Sequence, residues 1–176
     1  MLRAAVGGRG KARQEVGDDG PREAHAVASF YGREKYAIDH KGRLTVPASM
    51  RRTTGSRKPI DTFFIAPGFD GCLALYSPDE WVHVENALRS LPLGDREGRA
   101  FMRAFLSEVS KVAVDSQGRI TIPSSLLTRA GLGKEALLHG VLNRIEVWSP
   151  ERFQGEKEAA EGKLEEFAAK LFGGNR

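Results

Sequence analysis

The sequence predicts an α+β protein, mainly β with added helices, that contains two related units in tandem. The first observation is a repeated phrase, since YAIDHKGRLTVP at 36–47 returns as VAVDSQGRITIP at 112–123. Seven of the fourteen residues at 36–49 are identical to their counterparts at 112–125, which indicates an internal repeat. The second observation is that short runs of alternating apolar and polar residues surround both copies, and this pattern favours β-strands.

The first copy of the phrase predicts two short strands joined by a tight turn. The strands are expected at 36–39 and 43–46, and Gly42 supplies the positive φ that a tight turn requires. Pro47 ends the second strand and suits the start of a short helix, which Gly55 is expected to stop.

A hairpin and two helices are predicted after the first copy. The hairpin strands are expected at 62–66 and 72–76. Ser77-Pro-Asp-Glu80 predicts a helix start, because the Ser oxygen can accept a first-turn amide and the Glu can complete a capping box. The helices are expected at about 78–91 and 95–109.

The second copy predicts the same order of elements. Pro123 begins a short helix that Gly131 stops, and a hairpin follows at 136–140 and 144–148. A matching long helix is then expected to begin at Ser149-Pro150.

This last helix is expected to run from Pro150 towards Phe172. Arg152 stands where a capping Glu would be, so the cap is expected to be weaker than the one at Ser77. Four apolar residues share one face of the helix and would cover either the protein body or a neighbouring subunit: Leu164, Phe167, Ala168 and Leu171.

These patterns divide the chain into four segments. Residues 1–28 lack apolar periodicity and are expected to be a disordered extension. The first repeat, with its pair of helices, occupies 29–110, the second repeat occupies 111–153, and a C-terminal helix and tail occupy 154–176. We expect a soluble, intracellular protein with no membrane partner, since no apolar run approaches the roughly 20 residues that span a bilayer. The single cysteine, Cys72, lies in an apolar strand and is expected to be a buried thiol.

Positive charge is concentrated around the two copies of the phrase. The chain carries +4 overall, yet 33–58 contains eight Lys and Arg against two acids, and 111–134 contains four against one. Residues 59–110 and 135–150 together contain five against ten. Such a distribution is expected of a surface that faces phosphates, although a charged run is also commonly just a solvated face.

Three interpretations of the repeated Asp and Arg are open. In the first, Asp39 and Asp115 accept turn amides and pair with Arg43 and Arg119, which would clamp each turn. In the second, the two Asp form an acid–base dyad, but an Arg four residues on opposes the proton sharing that a dyad needs. In the third, each turn contacts DNA, with Arg binding guanine O6 and N7 while the Asp holds it in place.

Catalysis and metal binding find little support. The chain has no Gly-rich phosphate loop before a helix, and its four histidines lack metal-ligand spacing. We therefore expect no enzymatic activity, no metal or other cofactor and no small-molecule substrate.

The residues FYG at 30–32, with IDHKGRLTVP and VDSQGRITIP, resemble the MraZ family of bacterial transcriptional regulators over about 30–153. The resemblance implies two tandem AbrB/SpoVT-like swapped-hairpin β-barrel units with pseudo-two-fold symmetry. It also implies a ring-shaped homo-oligomer, an octamer or larger, that binds repeated promoter boxes in double-stranded DNA. The implied role is regulation of the division and cell wall gene cluster, usually as a repressor, by a cytoplasmic, nucleoid-associated protein.

Carried over to this sequence, the resemblance gives a set of site residues. The motif positions expected to bind DNA are Lys41, Arg43, Gln117 and Arg119. Beyond what the resemblance gives, Arg33, Lys35 and His40, which lie in or just before the first copy of the phrase, are also expected to bind DNA. The expected turn-shaping residues are Asp39, Gly42, Asp115 and Gly118. Because His40-Lys41 is replaced by Ser116-Gln117, the two turns cannot contact DNA identically, and the first is expected to contribute more electrostatically. The alternatives are an AbrB- or antitoxin-type regulator of other genes, and an oligomeric scaffold that binds RNA or an acidic protein.

Overall fold

The computed structural model describes residues 29–52 and 58–173. The predicted extension at 1–28 and the predicted helix stop at Gly55 lie outside these residues. The strands within the described ranges are β1 Arg33–Ala37, β2 Arg43–Thr45, β3 Thr62–Pro67, β4 Leu73–Tyr76, β5 Ser110–Ala113, β6 Arg119–Thr121, β7 Glu135–Gly140 and β8 Ile145–Trp148. The helices there are a 3-10 helix at Ala48–Arg51, α1 Pro78–Arg89, α2 Arg96–Leu106, α3 Ser124–Ala130, α4 Pro150–Glu161 and α5 Leu164–Phe172. This order of elements confirms the predicted α+β fold class.

Both sheets contain strands from the two repeats. The six-stranded sheet has the order β1-β7-β8-β4-β3-β5, and β2 pairs with β6 in a separate two-stranded ribbon. All of these pairs are antiparallel. Four of them join a strand of the first repeat to a strand that lies in or opens the second: β1–β7, β4–β8, β3–β5 and β2–β6. The repeats therefore interleave, and neither forms its sheet alone.

A shared hydrophobic core holds the interleaved strands together. Both repeats contribute side chains that are no more than 1% exposed, including Leu44, Phe63, Ile65, Leu75, Ile120, Leu126, Leu138 and Val147. Each such side chain contributes about 1.5–3 kcal/mol to the stability of the fold. Because the core is common to both repeats, side chains of each repeat pack beneath the repeated turn of the other and help to hold it in place.

The two helices after the phrase differ in length. The helix that follows Pro47 is a single 3-10 turn, Ala48–Arg51, and Arg52 after it is extended, whereas the predicted stop at Gly55 lies outside the described residues. Its counterpart α3 continues to Ala130 and ends at Gly131, whose φ of 62° is the left-handed conformation predicted there.

Both predicted helix caps are present. Ser77 Oγ accepts from the backbone N of Glu80 at 3.3 Å, and Ser149 Oγ accepts from the backbone N of Arg152 at 3.2 Å. The side chain of Arg152 also donates through Nη1 to the carbonyl oxygen of Gly71 at 3.2 Å. This bond ties the start of α4 to the hairpin turn of the first repeat.

The predicted C-terminal helix is divided in two, so the expectation of one continuous helix is wrong. α4 ends at Glu161 and α5 begins at Leu164. Gly162 lies at the break, where its cost of about 1 kcal/mol in a helix interior favours termination. The apolar face of α5 does not cover the body of its own chain, since Leu164 is 67% and Leu171 is 78% exposed.

Cys72 is buried as predicted, and burial raises the pKa of its thiol to about 12. Among the described residues, none of the helices combines the length and apolar character needed to cross a membrane.

Candidate nucleic-acid interface

The ribbon, formed by β2 and β6, presents an arginine from each repeat on one face. Its register pairs Arg43 with Thr121, Leu44 with Ile120 and Thr45 with Arg119. Side chains alternate along a strand, so Leu44 and Ile120 enter the core and the other four face outward. Arg43 and Arg119 are diagonal neighbours across the ribbon, which places the two residues about 7–8 Å apart and their Cβ atoms somewhat closer.

Two tight turns lie at opposite ends of the ribbon. The first turn is 39–42 and leads into β2, and the second turn is 115–118 and leads into β6. Each turn bonds to the strand of the other repeat. The carbonyl oxygen of Gly42 accepts from the backbone N of Ile122 at 2.9 Å, and that of Gly118 accepts from the backbone N of Val46 at 2.9 Å.

Asp39 braces the first turn through three hydrogen bonds. Its Oδ1 accepts from the backbone N of Lys41 at 2.8 Å and of Arg43 at 3.0 Å. Its Oδ2 accepts from Nε of Arg43 at 2.6 Å. The same carboxylate therefore shapes the turn and fixes the guanidinium that follows it.

Asp115 makes the same set of bonds in the second turn. Its Oδ1 accepts from the backbone N of Gln117 and of Arg119, each at 2.9 Å. Its Oδ2 accepts from Nε of Arg119 at 2.8 Å and lies 2.7 Å from Nη2. The clamp expected by the first interpretation is present in both turns, and the third interpretation requires the same clamp.

The carboxylates are held in their ionised form. The pKa of Asp39 is lowered from 3.8 to about 2, chiefly because its carboxylate accepts the backbone amide of Arg43 and secondarily through the side chain of that Arg. The pKa of Asp115 is also lowered, chiefly by its hydrogen bond from the Arg119 side chain. Two stably ionised aspartates paired with arginines cannot share a proton, so this geometry argues against an acid–base dyad.

Gly42 and Gly118 have the positive φ predicted for them, 74° and 78°. Both glycines are buried, unlike the residues that precede them. His40 and Lys41 are exposed at the first turn, and Ser116 and Gln117 are exposed at the second. The structure thus brings His40, Lys41, Arg43, Gln117 and Arg119 to the ribbon and its turns.

Arg33 and Lys35 lie elsewhere. They are on β1, where they pair with His139 and Leu137 of β7. The guanidinium of Arg33 stacks over the ring of Phe153, with Cζ 5.4 Å from the centroid. At about 3.3 Å per residue, Arg33 is about 20 Å along the chain from Asp39. The structure therefore does not bring Arg33 to the first turn, and its role as a DNA contact stays a prediction.

Arg51 lies at the second turn, although it was not among the predicted site residues. Its Nε donates to the carbonyl oxygen of Val46 at 2.9 Å, and its guanidinium lies over Gly118. One signal in the sequence could have drawn attention to Arg51. It aligns with the uncharged Leu127 at the same spacing that relates Asp39 to Asp115, so the two repeats differ in charge at this position.

Two other surface features lie away from the ribbon. An apolar groove of about 440 Å³ lies between α1, α2 and the β3–β4 turn, and its lining includes Pro67, Phe69, Val84, Leu88 and Phe101. The exposed apolar face of α5 contains Leu164, Phe167 and Leu171. Within residues 29–52 and 58–173, no group of His, Cys, Asp and Glu side chains could hold a metal ion.

Both turns lie in segments of the chain that match a known protein family. The family described as the antitoxin-like MraZ protein matches the chain twice, at residues 29–104 and 105–173. A transcriptional regulator MraZ from Ligilactobacillus salivarius (strain UCC118) is 41% identical over 142 residues, which cover 81% of this chain and 96% of that relative. A transcriptional regulator MraZ from Alkaliphilus metalliredigens (strain QYMF) is 44% identical over 124 residues, which cover 70% of this chain and 83% of that relative. A transcriptional regulator MraZ from Halothermothrix orenii is 41% identical over 142 residues, which cover 81% of this chain and 96% of that relative.

Proposed function

The chain belongs to the MraZ family, and we propose that it is a sequence-specific, double-stranded-DNA-binding transcriptional regulator. In this proposal a ring-shaped homo-oligomer, an octamer or larger, binds repeated promoter boxes. Its target is the division and cell wall gene cluster, which it represses from a cytoplasmic, nucleoid-associated location. It acts without catalysis or a cofactor.

The observation that supports DNA binding most strongly is the ribbon with two braced arginines on one outward face. A two-stranded ribbon fits the major groove, and Arg is the side chain best shaped to bind guanine O6 and N7 together. Of the side-chain nitrogens of Arg43, only Nε bonds to Asp39, so both terminal nitrogens can approach a base edge. In Arg119, Nη2 also lies 2.7 Å from Oδ2 of Asp115, so Nη1 is its unpaired terminal nitrogen with respect to that carboxylate. Each such pair supplies about 1–3 kcal/mol of discrimination against a wrong base.

The bracing also lowers the cost of binding. A free Arg side chain loses rotamer entropy when it is immobilised at an interface, about 0.5–1.5 kcal/mol for a side chain rich in rotamers. Because Asp39 and Asp115 already fix Arg43 and Arg119, part of that loss is incurred on folding. The Asp and Arg of each turn therefore act together as one DNA-contacting unit.

Two apolar surfaces support the assembly of several copies. None of the residues that line the groove belongs to α5, so the groove and the α5 face are separate surfaces of one chain. If α5 of one copy occupies the groove of the next, the contact is head-to-tail, and such contacts close into rings when the rotation between copies permits. Several ribbons on one assembly would then bind repeated boxes with increased avidity.

DNA binding is tested with the full-length protein and a labelled duplex taken from directly upstream of its own gene. Fluorescence anisotropy should show tighter binding to this duplex than to a scrambled duplex of equal composition. The affinity should fall with salt, with a slope of about −0.9 for each phosphate contact. Equal affinity for the two duplexes would contradict sequence-specific regulation.

The same assay distinguishes the alternatives. Specific binding to other upstream regions, but not to this one, would favour an AbrB- or antitoxin-type regulator of other genes. Tighter binding to an RNA of the same sequence would favour the oligomeric scaffold.

Assembly is tested by light scattering after chromatography of the triple variant L164S/F167S/L171S. The proposal predicts loss of the oligomer, whereas the control K170S, on the same helix, should retain it. An intact oligomer in the triple variant would show that α5 is not the contact.

A further inference from the structure

Arg51 lies against the second turn although it belongs to the first repeat. A methyl group placed on Gly118 would lie 2.9 Å from Nη2 of Arg51 and 3.1 Å from its Cζ. Gly118 is the residue directly before Arg119, so the guanidinium of Arg51 covers the turn that leads into β6. The second turn therefore has a neighbouring arginine that its own repeat does not supply.

Val46 holds Arg51 and the second turn in one arrangement. Its backbone N donates to the carbonyl oxygen of Gly118 at 2.9 Å, and its own carbonyl oxygen accepts from Nε of Arg51 at 2.9 Å. Both bonds lie at the end of β2. The guanidinium is consequently held relative to the ribbon, and no acceptor in residues 29–52 and 58–173 bonds to its Nη1 or Nη2.

The counterpart of Arg51 in the other repeat is apolar. Leu127 follows Arg51 by seventy-six residues, the spacing that also separates Asp39 from Asp115. Its Cδ1 would lie 3.2 Å from a methyl group on Gly42, so it occupies the matching place over the first turn. Each repeat thus places one side chain on the turn of the other, and only the side chain on the second turn is charged.

This exchange supplies the charge that the second turn lacks. The first turn has Lys41 next to Arg43, whereas the second has neutral Ser116 and Gln117 next to Arg119. Arg51 is half-buried, and none of the salt bridges within residues 29–52 and 58–173 involves it. No ion pair among the described residues therefore competes with an incoming anion for its charge.

We infer that Arg51 is a DNA-contacting residue of the second turn and binds a backbone phosphate beside the base that Arg119 contacts. This inference rests on the proposed function. The planar guanidinium binds phosphate oxygens bidentately, and because Nε is bonded to Val46, Nη1 and Nη2 are the atoms that would make this contact. The first turn takes its additional cation from its own sequence, and the second turn takes it from the other repeat.

The test uses R51L, which copies Leu127, in the full-length protein with the upstream and scrambled duplexes. The plot of log K against log salt has a negative slope, and R51L should make it shallower by about 0.9 for each second turn that contacts the duplex. The variant should weaken binding to both duplexes by the same factor, because a phosphate contact carries no sequence information. R51K retains the charge and should restore the slope to that of the wild type.

The control is R89L, which removes an exposed arginine from α1 and should leave the slope unchanged. A merely structural Arg51 would lower the melting temperature in R51L and R51K alike and leave the slope of both at the wild-type value, which would overturn the inference. The inference would also be overturned if R51L bound both duplexes like the wild type while R43A no longer distinguished the upstream from the scrambled duplex. That result would leave the proposed function intact. Failure of the wild type to distinguish the two duplexes would instead contradict the proposed function.

Discussion

His40 and Lys41 separate Asp39 from Gly42 in the first turn, while Ser116 and Gln117 occupy those places in the second. Despite this difference, the aspartate in each turn accepts from two backbone amides and from the Nε of the arginine that follows. The comparison shows that the shared Asp and Arg make the same bonds in both turns, although the two residues between Asp and Gly differ. The two residues between Asp and Gly are thus free to differ in charge without altering the frame.

The side chains that pack against the two turns also differ, as do the two residues between Asp and Gly in each turn. A leucine lies over Gly42, and an arginine lies over Gly118. The first turn therefore packs against an apolar neighbour and has its own cation, whereas the second has a neutral tip and a cation beside it. Two turns with one backbone geometry are expected to make different contacts with a duplex.

Removal of the motif arginines should have the largest effect on this comparison. R43A and R119A should each reduce discrimination between the upstream and scrambled duplexes by about 1–3 kcal/mol for every bidentate Arg–guanine pair that is removed. Anisotropy measures the reduction, and light scattering should show the oligomer unchanged. Dissociation of the oligomer in either variant would identify that arginine as a structural clamp instead.

Alanine at the two glycines should separate packing from binding. Both substitutions force a left-handed conformation that costs about 1–2 kcal/mol. In G42A the new methyl group lies 3.0 Å from the carbonyl oxygen of Ile122, which is backbone and cannot move aside easily. In G118A it meets the flexible end of Arg51. Denaturant unfolding should therefore show the greater destabilisation in G42A.

G118A should have a second consequence that G42A lacks. By displacing the guanidinium of Arg51, it should reduce the salt slope of DNA binding as R51L does. Equal destabilisation of the two variants, with an unchanged slope in G118A, would show that the two turns have equivalent neighbours.

The aspartates should give the first turn a measurable pH dependence. Because the pKa of Asp39 is lowered from 3.8 to about 2, its carboxylate stabilises the fold above pH 3.8, and this contribution is lost as the pH falls towards 2. Asn cannot ionise, so the difference in free energy of unfolding between the wild type and D39N should shrink over that window. A difference that stays constant with pH would contradict the bracing role of the ionised carboxylate. D115N should change in the same direction.

Exchange of the tip residues should have the smallest effect. K41Q should reduce the salt slope and Q117K should increase it, each by about 0.9 for every phosphate that the side chain at that position neutralises. The double variant K41Q/Q117K should return close to the wild-type slope, measured by salt titration of anisotropy. A slope that does not respond to either substitution would place both tips away from the phosphates.

Local features of the fold could be predicted from the sequence because their causes are local. Ser77-Pro78 begins a helix through its own side chain and ring, and Gly42 and Gly118 allow a conformation that other residues resist. The bond that Nε of Arg43 donates to Asp39 spans only four residues, so the spacing suggested it among the three interpretations.

Non-local features could not be predicted in the same way. An alternating strand such as 43–45 carries no record of its partner, and only the structure shows that β2 pairs with β6 of the other repeat. That pairing is what brings Arg51 to Gly118, sixty-seven residues away in sequence. The break at Gly162 was missed because the apolar spacing of α5 continues the period of a single helix.

Methylation protection by dimethyl sulfate tests the central claim most directly, because guanine N7 is the atom that Arg43 and Arg119 are proposed to bind. Wild-type protein on the upstream duplex should protect a limited set of guanines. R43A and R119A should each lose protection at a different subset of them, since the two turns lie at opposite ends of the ribbon. The account would be contradicted if no guanine were protected, or if both variants kept the full wild-type pattern.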